Sequence, residues 1–367
     1  MYYVASLLSL AFLIVVHEAG HFFVARWCRM RIERFSIGFG PGILKRRSKK
    51  TGTVFQIAPI PFGGFVEIRG MNIAEDIDPE DTYAYPNRPA WQRFLTIFAG
   101  PATNYLSAIV LAFGLFTCHG MNSPWRWHEV SSIQQGYDAA GKLEVGDRII
   151  GVDGVPLLAH GEYTAPDGTH YIEDSLTGRI NAKHGAPVTL TVLRDGKRQD
   201  VTITPKLVFL PRGTWESWTT PTYLIGIMPI QRADVLDVGL FEAATSAFVY
   251  PVEQTKVIAG GLYDIIRGKE EADPGGPKRI FDEFAKAWQL GPVTGIQLLM
   301  MLSVYLGMFN LFPLPALDGG RLVFLSYELV TRRRANPKIE AMVHMAGIMV
   351  LGVVMILVTL HDFHLFS

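Results

Sequence analysis

The chain has 367 residues, 49% of them hydrophobic, with 34 basic and 34 acidic side chains. The hydrophobic residues concentrate in four long runs, which excludes a purely soluble protein and predicts a polytopic membrane protein with soluble insertions. Because the formal net charge is zero, total charge gives no information about binding partners.

The first apolar run, from Met1 to Arg26, contains a motif of metal-binding type. Its first 16 residues carry no charged side chain, and a helix needs about 20 apolar residues to span the hydrocarbon. At a rise of about 1.5 Å per residue, His17 lies about 25 Å along such a helix, well inside a bilayer. Ionisable groups at this depth are costly and indicate function. We therefore expect a membrane helix that carries a reactive site.

The spacing of the polar residues in this run is typical of a zinc site. His17 and His21 are one turn apart on one helical face and can bind a single zinc ion, while the adjacent Glu18 can serve as general base. Two buried structural histidines are the alternative, but that arrangement would leave three polar groups in apolar surroundings without a partner. The run also lacks a preceding basic segment and a following cleavage site, so we do not expect a cleaved signal peptide.

Basic residues predict the orientation in the membrane, because they concentrate in the loops after the first and third runs. By the positive-inside rule both loops are cytoplasmic. The N-terminus, the central segment and the C-terminus are then extracytoplasmic. The basic residues are Arg26, Arg29, Arg31, Arg34, Lys45, Arg46, Arg47, Lys49 and Lys50 in the first loop, and Arg332, Arg333, Arg334 and Lys338 in the second.

Between residues 34 and 71, short apolar stretches alternate with Gly and Pro. This pattern predicts a small antiparallel sheet with a turn at Thr51-Gly52. The segment could be a solvated connector or a membrane-associated β element beside the metal motif. The apolar residues Phe55, Ile57, Ile60, Phe62 and Phe65 favour the second interpretation.

The second run, from about Trp91 to Cys118, contains Ala99-Gly100-Pro101 and Asn104. A helix surrounded by lipid would avoid these polar or helix-disturbing residues. Asn104 either hydrogen-bonds to a neighbouring helix or contacts the metal site directly.

The central segment is rich in strand-forming residues and resembles a PDZ domain. Tyr137 to Pro156 reads YDAAGKLEVGDRIIGVDGVP, and VTLTVLRDGKRQDVTITP follows up to Pro205. We expect a PDZ domain over residues 121–210, with an insertion at 162–174. Such domains capture an extended peptide end as an added strand, although a spacer without ligand is the alternative.

Residues 211–290 are expected to form an extracytoplasmic linker with amphipathic helices. An apolar helical face runs from Gly239 to Lys269, where Pro251 should kink or end the helix, and a short amphipathic helix follows at 281–289. The third and fourth membrane helices are expected at about 293–312 and 342–360. The predicted domains are therefore 1–120, 121–210, 211–290 and 291–367, in a polytopic α-helical membrane protein with a small membrane-associated β element and an α+β PDZ domain.

A catalytic zinc needs three protein ligands and one open position, so one ligand remains to be found. Asp318 is the best candidate, because it lies in apolar sequence after Pro313 and Pro315 and before a pair of glycines. The first and third membrane helices run in the same direction. The histidines and Asp318 therefore fall toward the same, cytoplasmic, side.

Three motifs together resemble the site-2 protease family of intramembrane zinc metalloproteases, and most closely its bacterial members that regulate sigma-E. They are H-E-A-G-H in the first run, A-G-P-x-x-N in the second, and N-L-F-P-L-P-x-L-D-G-G after the third. The resemblance implies a zinc protease with a defined set of site residues. These are His17, His21 and Asp318 as zinc ligands, Glu18 as general base, and Asn310, Pro313, Phe62, Gly63 and Gly64 as substrate contacts.

The resemblance also implies cleavage within the transmembrane segment of a single-pass protein of the bacterial inner membrane. An anti-sigma factor already cut by another protease is the expected substrate, and remnant signal peptides are the alternative. Other expected partners are a peptide or protein at the PDZ domain and membrane lipid, but no nucleic acid. The bacterial members closest in motif carry two tandem PDZ domains, whereas one is recognised here.

Two rival functions remain. One is a non-catalytic membrane scaffold that binds partners through its PDZ domain, and the other is a metal transporter. Transporters commonly show internal repeats, and the two halves of this chain are dissimilar. Glu18 also favours hydrolysis, because transport needs ligands but no base.

Overall fold

The computed structural model describes residues 1–72, 75–211, 219–269 and 275–362. The chain divides into two compact units, one formed by residues 1–118 and 239–367 and the other by residues 119–238. In chain order the helices are α1 (Tyr2–Trp27), α2 (Ala90–His119), α3 (Leu176–Ala182), α4 (Leu240–Ile266), α5 (Pro277–Leu290), α6 (Pro292–Leu311), α7 (Asp318–Thr331) and α8 (Pro337–Asp362). Of these, α3 belongs to the second unit.

Four of the described helices are long and apolar enough to cross a membrane, namely α1, α2, α6 and α8. They coincide with the four predicted membrane helices. Of the two outcomes predicted at Pro251, a kink or an end of the helix, the end is wrong, because α4 continues through this residue from Leu240 to Ile266. Pro251 lies on the buried face of α4 together with Ala243, Ala247 and Ile258, and this packing holds both halves of the helix in place.

The first unit also contains a four-stranded sheet, in the order β2-β3-β1-β4. Its strands are β1 (Ile32–Phe39), β2 (Leu44–Arg47), β3 (Val54–Ile57) and β4 (Ile60–Ile68). The antiparallel pairing expected throughout occurs between β2 and β3 and between β1 and β4, but β1 and β3 are parallel.

The parallel pair arises because β2 pairs with the far side of β3 and not with β1, and the chain then crosses β1 between β3 and β4. At the crossing, Gly38 has φ +90° and lies so close to the chain that a Cβ would approach the carbonyl oxygens of Ala58 and Ile60 to 2.8 Å. A glycine at this position therefore permits a mixed sheet, which the alternation of apolar residues alone does not reveal.

Helix α1 is the centre of packing in the first unit. At its C-terminal end, Ala25 and the following Cys28 pack against Ile68 of β4. Closer to its start, Leu13 packs with Phe284 of α5 and Leu299 of α6. Helix α1 therefore has contacts on several sides along its length, which fixes the orientation of the side chains near its middle.

The second unit is a mainly β structure around one apolar core. Its strands are β5 (Met121–Ile133), β6 (Arg148–Val152), β7 (Val155–Leu158), β8 (Tyr163–Thr164), β9 (His170–Glu173), β10 (Val188–Arg194), β11 (Lys197–Ile203), β12 (Lys206–Pro211), β13 (Thr219–Leu224) and β14 (Ile227–Leu236). The main sheet has the order β11-β10-β6-β7-β9-β8, with β5 paired to β6 and β14 paired to β5. Helix α3 contributes Leu176 and Ile180 to the core.

The observed unit extends beyond the predicted boundary at residue 210. Strand β14 pairs with β5 from Ile227↔Ile133 to Leu236↔Met121, so these residues are part of the β unit and not of a helical linker. The pairing shifts register next to Pro229 and Val235, which obscures the regular alternation of a strand in the sequence. The assignment of this unit as a PDZ domain stays a prediction.

Candidate metal centre

Helix α1 brings the two histidines together as the spacing predicts. Both residues are 8% exposed, and their rings meet edge to face with centroids 4.9 Å apart. The Nε2 atoms of His17 and His21 are 3.2 Å apart. Both imidazoles thus direct the same nitrogen to one point.

Asp318, nearly 300 residues later in the sequence, completes a triangle with these nitrogens. Its Oδ2 lies 3.2 Å from His17 Nε2 and 3.3 Å from His21 Nε2. This oxygen is buried and has no hydrogen-bond partner in the described part of the chain. The described residues contain no other group of three or more such side chains arranged to hold a metal ion.

The triangle has the dimensions of one face of a zinc tetrahedron. Zinc bonds to nitrogen and oxygen of about 2.0 Å correspond to ligand separations of about 3.3 Å in tetrahedral geometry. The three observed separations lie between 3.2 and 3.3 Å. The residues present therefore fit a zinc ion and leave a fourth position open.

The second nitrogen of each histidine has a partner on α2. His21 Nδ1 lies 2.8 Å from the carbonyl oxygen of Thr96. A proton on Nδ1 donated to this carbonyl leaves Nε2 with a free electron pair, as a metal ligand requires.

Asn104 has the corresponding role for His17. Its amide Nδ2 lies 3.1 Å from His17 Nδ1, while its Oδ1 is buried and unpaired among the described residues. The nitrogen and oxygen of an amide exchange places on rotation by 180°, and the hydrogen-bond network decides between the two arrangements. With Oδ1 directed at His17, the oxygen accepts the Nδ1 proton and Nε2 is free for metal. Both predicted roles of Asn104 therefore coincide, because its hydrogen-bond partner His17 lies on the neighbouring helix α1 and is part of the site.

Small residues let α2 approach the histidines. A Cβ on Gly100 would collide with the His21 ring and lie 2.9 Å from His17 Cε1. On the other side, Thr103 donates a hydrogen bond to the carbonyl oxygen of Val16, at 3.0 Å. The Ala99-Gly100-Pro101 motif thus provides the close approach that the second-nitrogen contacts need.

The acidic member of the site begins a helix that the sequence did not reveal. Asp318 is the first residue of α7, directly after the irregular stretch 312–317. A Cβ on Gly319 would overlap the carbonyl oxygens of Leu311 and Phe312. The glycine therefore lets α7 start against the end of α6, which places Asp318 opposite the histidines.

The side chains of His17, His21 and Asp318 open to a cavity of about 610 Å³. Glu18 lines this cavity, as do Gly63, Gly64 and Asn310 among the predicted substrate contacts. A Cβ on Gly64 would lie 3.3 Å from Glu18 Cγ, so strand β4 passes directly beside the predicted base.

Two other residues, Pro313 and Phe62, were predicted as substrate contacts. Pro313 is exposed and is not among the residues that line it. The side chain of Phe62 lies outside the described residues. Arg321, one turn after Asp318 on α7, does line the cavity and was not predicted, because an arginine after two glycines has no spacing that indicates a site.

Comparison with known proteins gives the same result as the geometry. The profile described as Peptidase family M50 matches residues 5–354. A relative from Mesorhizobium japonicum is 31% identical over 94% of each chain. Relatives from Rickettsia conorii and Fusobacterium nucleatum are both 28% identical, over 99% of this chain and 99% and 98% of their own length.

All three relatives are named as predicted zinc metalloproteases. A match over nearly the whole chain includes both the histidine motif and the stretch around Asp318. The chain therefore belongs to Peptidase family M50, the site-2 protease family, and it is a membrane zinc metalloprotease.

Proposed function

We propose that His17, His21 and Asp318 hold the catalytic zinc, and that the enzyme cleaves a peptide bond inside a membrane-embedded segment of its protein substrate. The observation that carries this proposal is the ligand triangle, which opens to a cavity. Its two histidines lie on α1, a helix long and apolar enough to cross a membrane. A reaction centre in such surroundings suits a substrate segment that is itself apolar.

When bound, zinc polarises a carbonyl and acidifies a water molecule. Glu18 lies beside His17 on α1 and faces the same cavity. It takes up the proton of the attacking water and later delivers it to the leaving amine. Asn104 and the Thr96 carbonyl hold the two imidazoles in the required tautomer throughout.

Strand β4 is the proposed site for the substrate backbone. It is at the edge of its sheet, paired with β1 on one side only, and it passes the cavity at Gly63 and Gly64. A helical substrate must unwind before its carbonyls can react, and an edge strand can bind the unwound segment by main-chain pairing.

Replacement of Phe65 and of Val66 by proline, one at a time, tests this role. N–H groups of neighbouring strand residues point to opposite edges. The Val66 N–H faces the Glu18 carboxylate on the free edge, so Val66→Pro removes this free-edge donor, whereas Phe65→Pro removes a donor from the pairing with β1. We expect the free-edge variant to retain zinc and thermal stability while cleavage falls at least tenfold. Unchanged cleavage in both variants would contradict substrate pairing at β4.

For the substrate, we propose a single-pass membrane protein, and specifically an anti-sigma factor previously cut by another protease. Remnant signal peptides are the second candidate, because they present the same kind of apolar segment. Quantitative membrane proteomics of wild type against Glu18→Gln discriminates between them. The accumulating fragments identify the substrate, and the absence of any accumulating membrane fragment would contradict intramembrane cleavage.

We further propose the bacterial inner membrane as location, with the metal site toward the cytoplasm and the second unit outside. The basic residues that follow α1 support this orientation. The free Cys118 is exposed at the end of α2, whereas Cys28 is buried. A membrane-impermeant maleimide should label Cys118 in intact spheroplasts, and labelling only after lysis would reverse the orientation.

The second unit is proposed to act as a PDZ domain that binds a peptide or protein ligand, and membrane lipid surrounds the first unit. The exposed apolar side chains of Ile43, Leu44, Ile57 and Ile60 support a membrane-associated β element. A non-catalytic scaffold is not supported as the function of the whole protein, because the matching family is a peptidase family and the relatives are named as zinc metalloproteases. A transporter is not supported for the same reason.

A further inference from the structure

Helix α8 has one buried side chain among those that the structure describes, and this side chain is a histidine. His344 is 9% exposed, whereas the other described side chains of α8 are half-buried or exposed. The helix is also the most apolar of the four long helices, with a mean hydropathy of 2.5. Burying an imidazole is costly unless it is hydrogen-bonded. The hydrogen-bond partner of His344 therefore indicates the role of α8.

That partner is the backbone of the segment leading to Asp318. The N–H of Ala316 donates a hydrogen bond of 3.3 Å to His344 Nδ1. Ala316 has φ +77°, in the left-handed region that residues with a Cβ rarely adopt. In the described part of the chain, His344 is the one side chain that hydrogen-bonds to the stretch 312–317.

A second contact holds the same stretch one helical turn further along α8. A Cβ on Gly347 would collide with Pro315. On the side of α7, a Cβ on Gly320 would lie 2.5 Å from the carbonyl oxygen of Leu314 and 3.3 Å from His344 Cε1. The stretch before Asp318 is therefore enclosed between the first turn of α7 and two successive turns of α8.

We propose that His344 is a positioning residue for the metal site. It holds Ala316 in its left-handed conformation and so fixes the direction in which the chain enters α7 two residues later. The consequence is that Asp318 Oδ2 stays 3.2 Å from His17 Nε2 before the metal arrives. This inference rests on the proposed function, because it takes Asp318 as the third zinc ligand.

The hydrogen bond also fixes the form of the ring. Because Nδ1 accepts, it carries no proton, and the proton of the neutral ring is on Nε2. This nitrogen is buried without a hydrogen-bond partner in the described part of the chain, beside a cavity of about 330 Å³ that Arg321 also lines. The acceptor at Nδ1, and not the ring as a whole, is thus the part of His344 with a defined partner.

Two amide substitutions distinguish the effect of losing the hydrogen-bond acceptor from the effects of changed polarity and size. In His344→Asn the side-chain oxygen can occupy the place of Nδ1, whereas the longer chain of His344→Gln places its amide near Nε2. His344→Leu removes the acceptor altogether. Phe324→Leu is the matched control, because Phe324 packs on the ring with centroids 6.1 Å apart and makes no hydrogen bond to Ala316.

The experiment measures zinc affinity of the purified full-length variants by competition with a fluorescent chelator. Losing a residue that orients a metal ligand typically weakens metal binding by about 10- to 100-fold. We expect this loss for His344→Leu and His344→Gln, and affinities within about threefold of wild type for His344→Asn and Phe324→Leu. Hydrogen exchange of residues 312–320 in the zinc-free protein should be faster in the same two weakened variants.

Wild-type affinity and exchange in His344→Leu would overturn the inference, as would His344→Gln binding zinc as tightly as His344→Asn. If His344→Leu does not fold, the comparison of the two amides decides alone. A further variant, Asp318→Asn, distinguishes a failure of the proposed ligand set from a failure of the proposed role of His344. Zinc retained with wild-type affinity in Asp318→Asn would overturn the ligand set itself, whereas zinc lost there but kept in His344→Gln would overturn the role of His344 alone.

Discussion

Two histidine nitrogens and one carboxylate oxygen lie within 3.3 Å of one another in apolar surroundings. Without a metal, such an arrangement brings two nitrogen lone pairs and a buried carboxylate together at a free-energy cost. Asn104 and the Thr96 carbonyl hold this arrangement in place, because they fix the outer nitrogens of both rings. At the scale of residues the site is therefore organised before zinc binds.

Asn104 gives the first prediction. Asn104→Leu removes the acceptor for His17 Nδ1, so zinc affinity and kcat/KM should each fall by about 10- to 100-fold. Asn104→Asp keeps an acceptor oxygen at the same place and should retain more of both. Metal competition and cleavage assays check this, and a leucine variant equal to wild type would show that the contact does not orient His17.

Gly100 gives the second prediction. In Gly100→Ala the added Cβ meets the His21 ring, so we expect loss of zinc and of activity in a protein that still folds. Gly114→Ala is the control on the same helix, because a Cβ there has nothing within 4 Å. The control should bind zinc normally and gain at most about 1 kcal/mol of helix stability. Equal zinc content in the two variants would contradict the close-approach role of Gly100.

Asp147 gives a prediction about pH in the second unit. Burial raises the pKa of Asp147, but the Arg194 guanidinium and the backbone N–H of Glu144 outweigh it, so the pKa lies below its ordinary value. Arg194 donates hydrogen bonds of 2.7 Å and 2.6 Å to the two carboxylate oxygens. A lowered folded pKa contributes stability that is present above the unfolded value of about 3.9 and is lost as pH falls through the folded pKa.

The unit should therefore lose stability below about pH 4, and Asp147→Asn should lack this part of the pH dependence. Hydrogen-exchange protection of residues 188–194, corrected for the intrinsic rate at each pH, measures the effect. Identical pH profiles for wild type and the variant would show that the Asp147–Arg194 pair contributes nothing to it.

The sequence predicts the site residues whose spacing indicates chemistry, but it does not predict the backbone groups that orient them. His17, Glu18 and His21 are readable because three polar side chains in an apolar run need an explanation. The carbonyl of Thr96 and the N–H of Ala316 are backbone groups, and every residue except proline has both. Their roles depend on where other helices place His21 and His344, which no local pattern contains.

At the scale of elements, α7 is the helix that links the metal site to the rest of the first unit. Its Glu328 pairs with Arg93 of α2 at 2.5 Å, and the two side chains are 17% and 7% exposed. Asp318 is at the other end of the same helix. The pair thus connects the helix that carries the proposed acidic ligand to the helix whose residues contact the two histidines.

Glu328→Gln should destabilise the enzyme by about 3–5 kcal/mol, because it leaves the Arg93 charge buried without its partner. Replacing both residues, as in Arg93→Met with Glu328→Leu, should recover most of this loss. Denaturant unfolding of the detergent-solubilised protein checks both values. A double variant less stable than Glu328→Gln would show that the pair is net stabilising and not only costly to break.

Elements were predictable where composition determines them and missed where long-range pairing does. The four long apolar helices follow from their length and hydropathy. The parallel pairing of β1 with β3 depends on a crossing at Gly38, and β14 finds its partner β5 about a hundred residues earlier in the chain. A pattern within one segment reports which faces are apolar, but not which strand lies next to it.

At the scale of the whole molecule, the active site is assembled from the two ends of the first unit's sequence, and the second unit is inserted between them. The histidines precede the insertion and Asp318 follows it, so the proposed ligand set forms only when both parts fold together. This arrangement explains why the motifs are far more informative in combination than singly. Asp318 is therefore the residue on which the proposed metal centre depends most.

The most direct test is the zinc-to-protein ratio of purified Asp318→Asn, measured beside wild type and Glu18→Gln. We expect about one zinc per chain in wild type and in Glu18→Gln, because Glu18 is proposed as a base and not as a ligand. We expect almost none in Asp318→Asn after dialysis against a chelator that leaves the wild type loaded. A full complement of zinc in Asp318→Asn under these conditions would contradict the proposed metal centre.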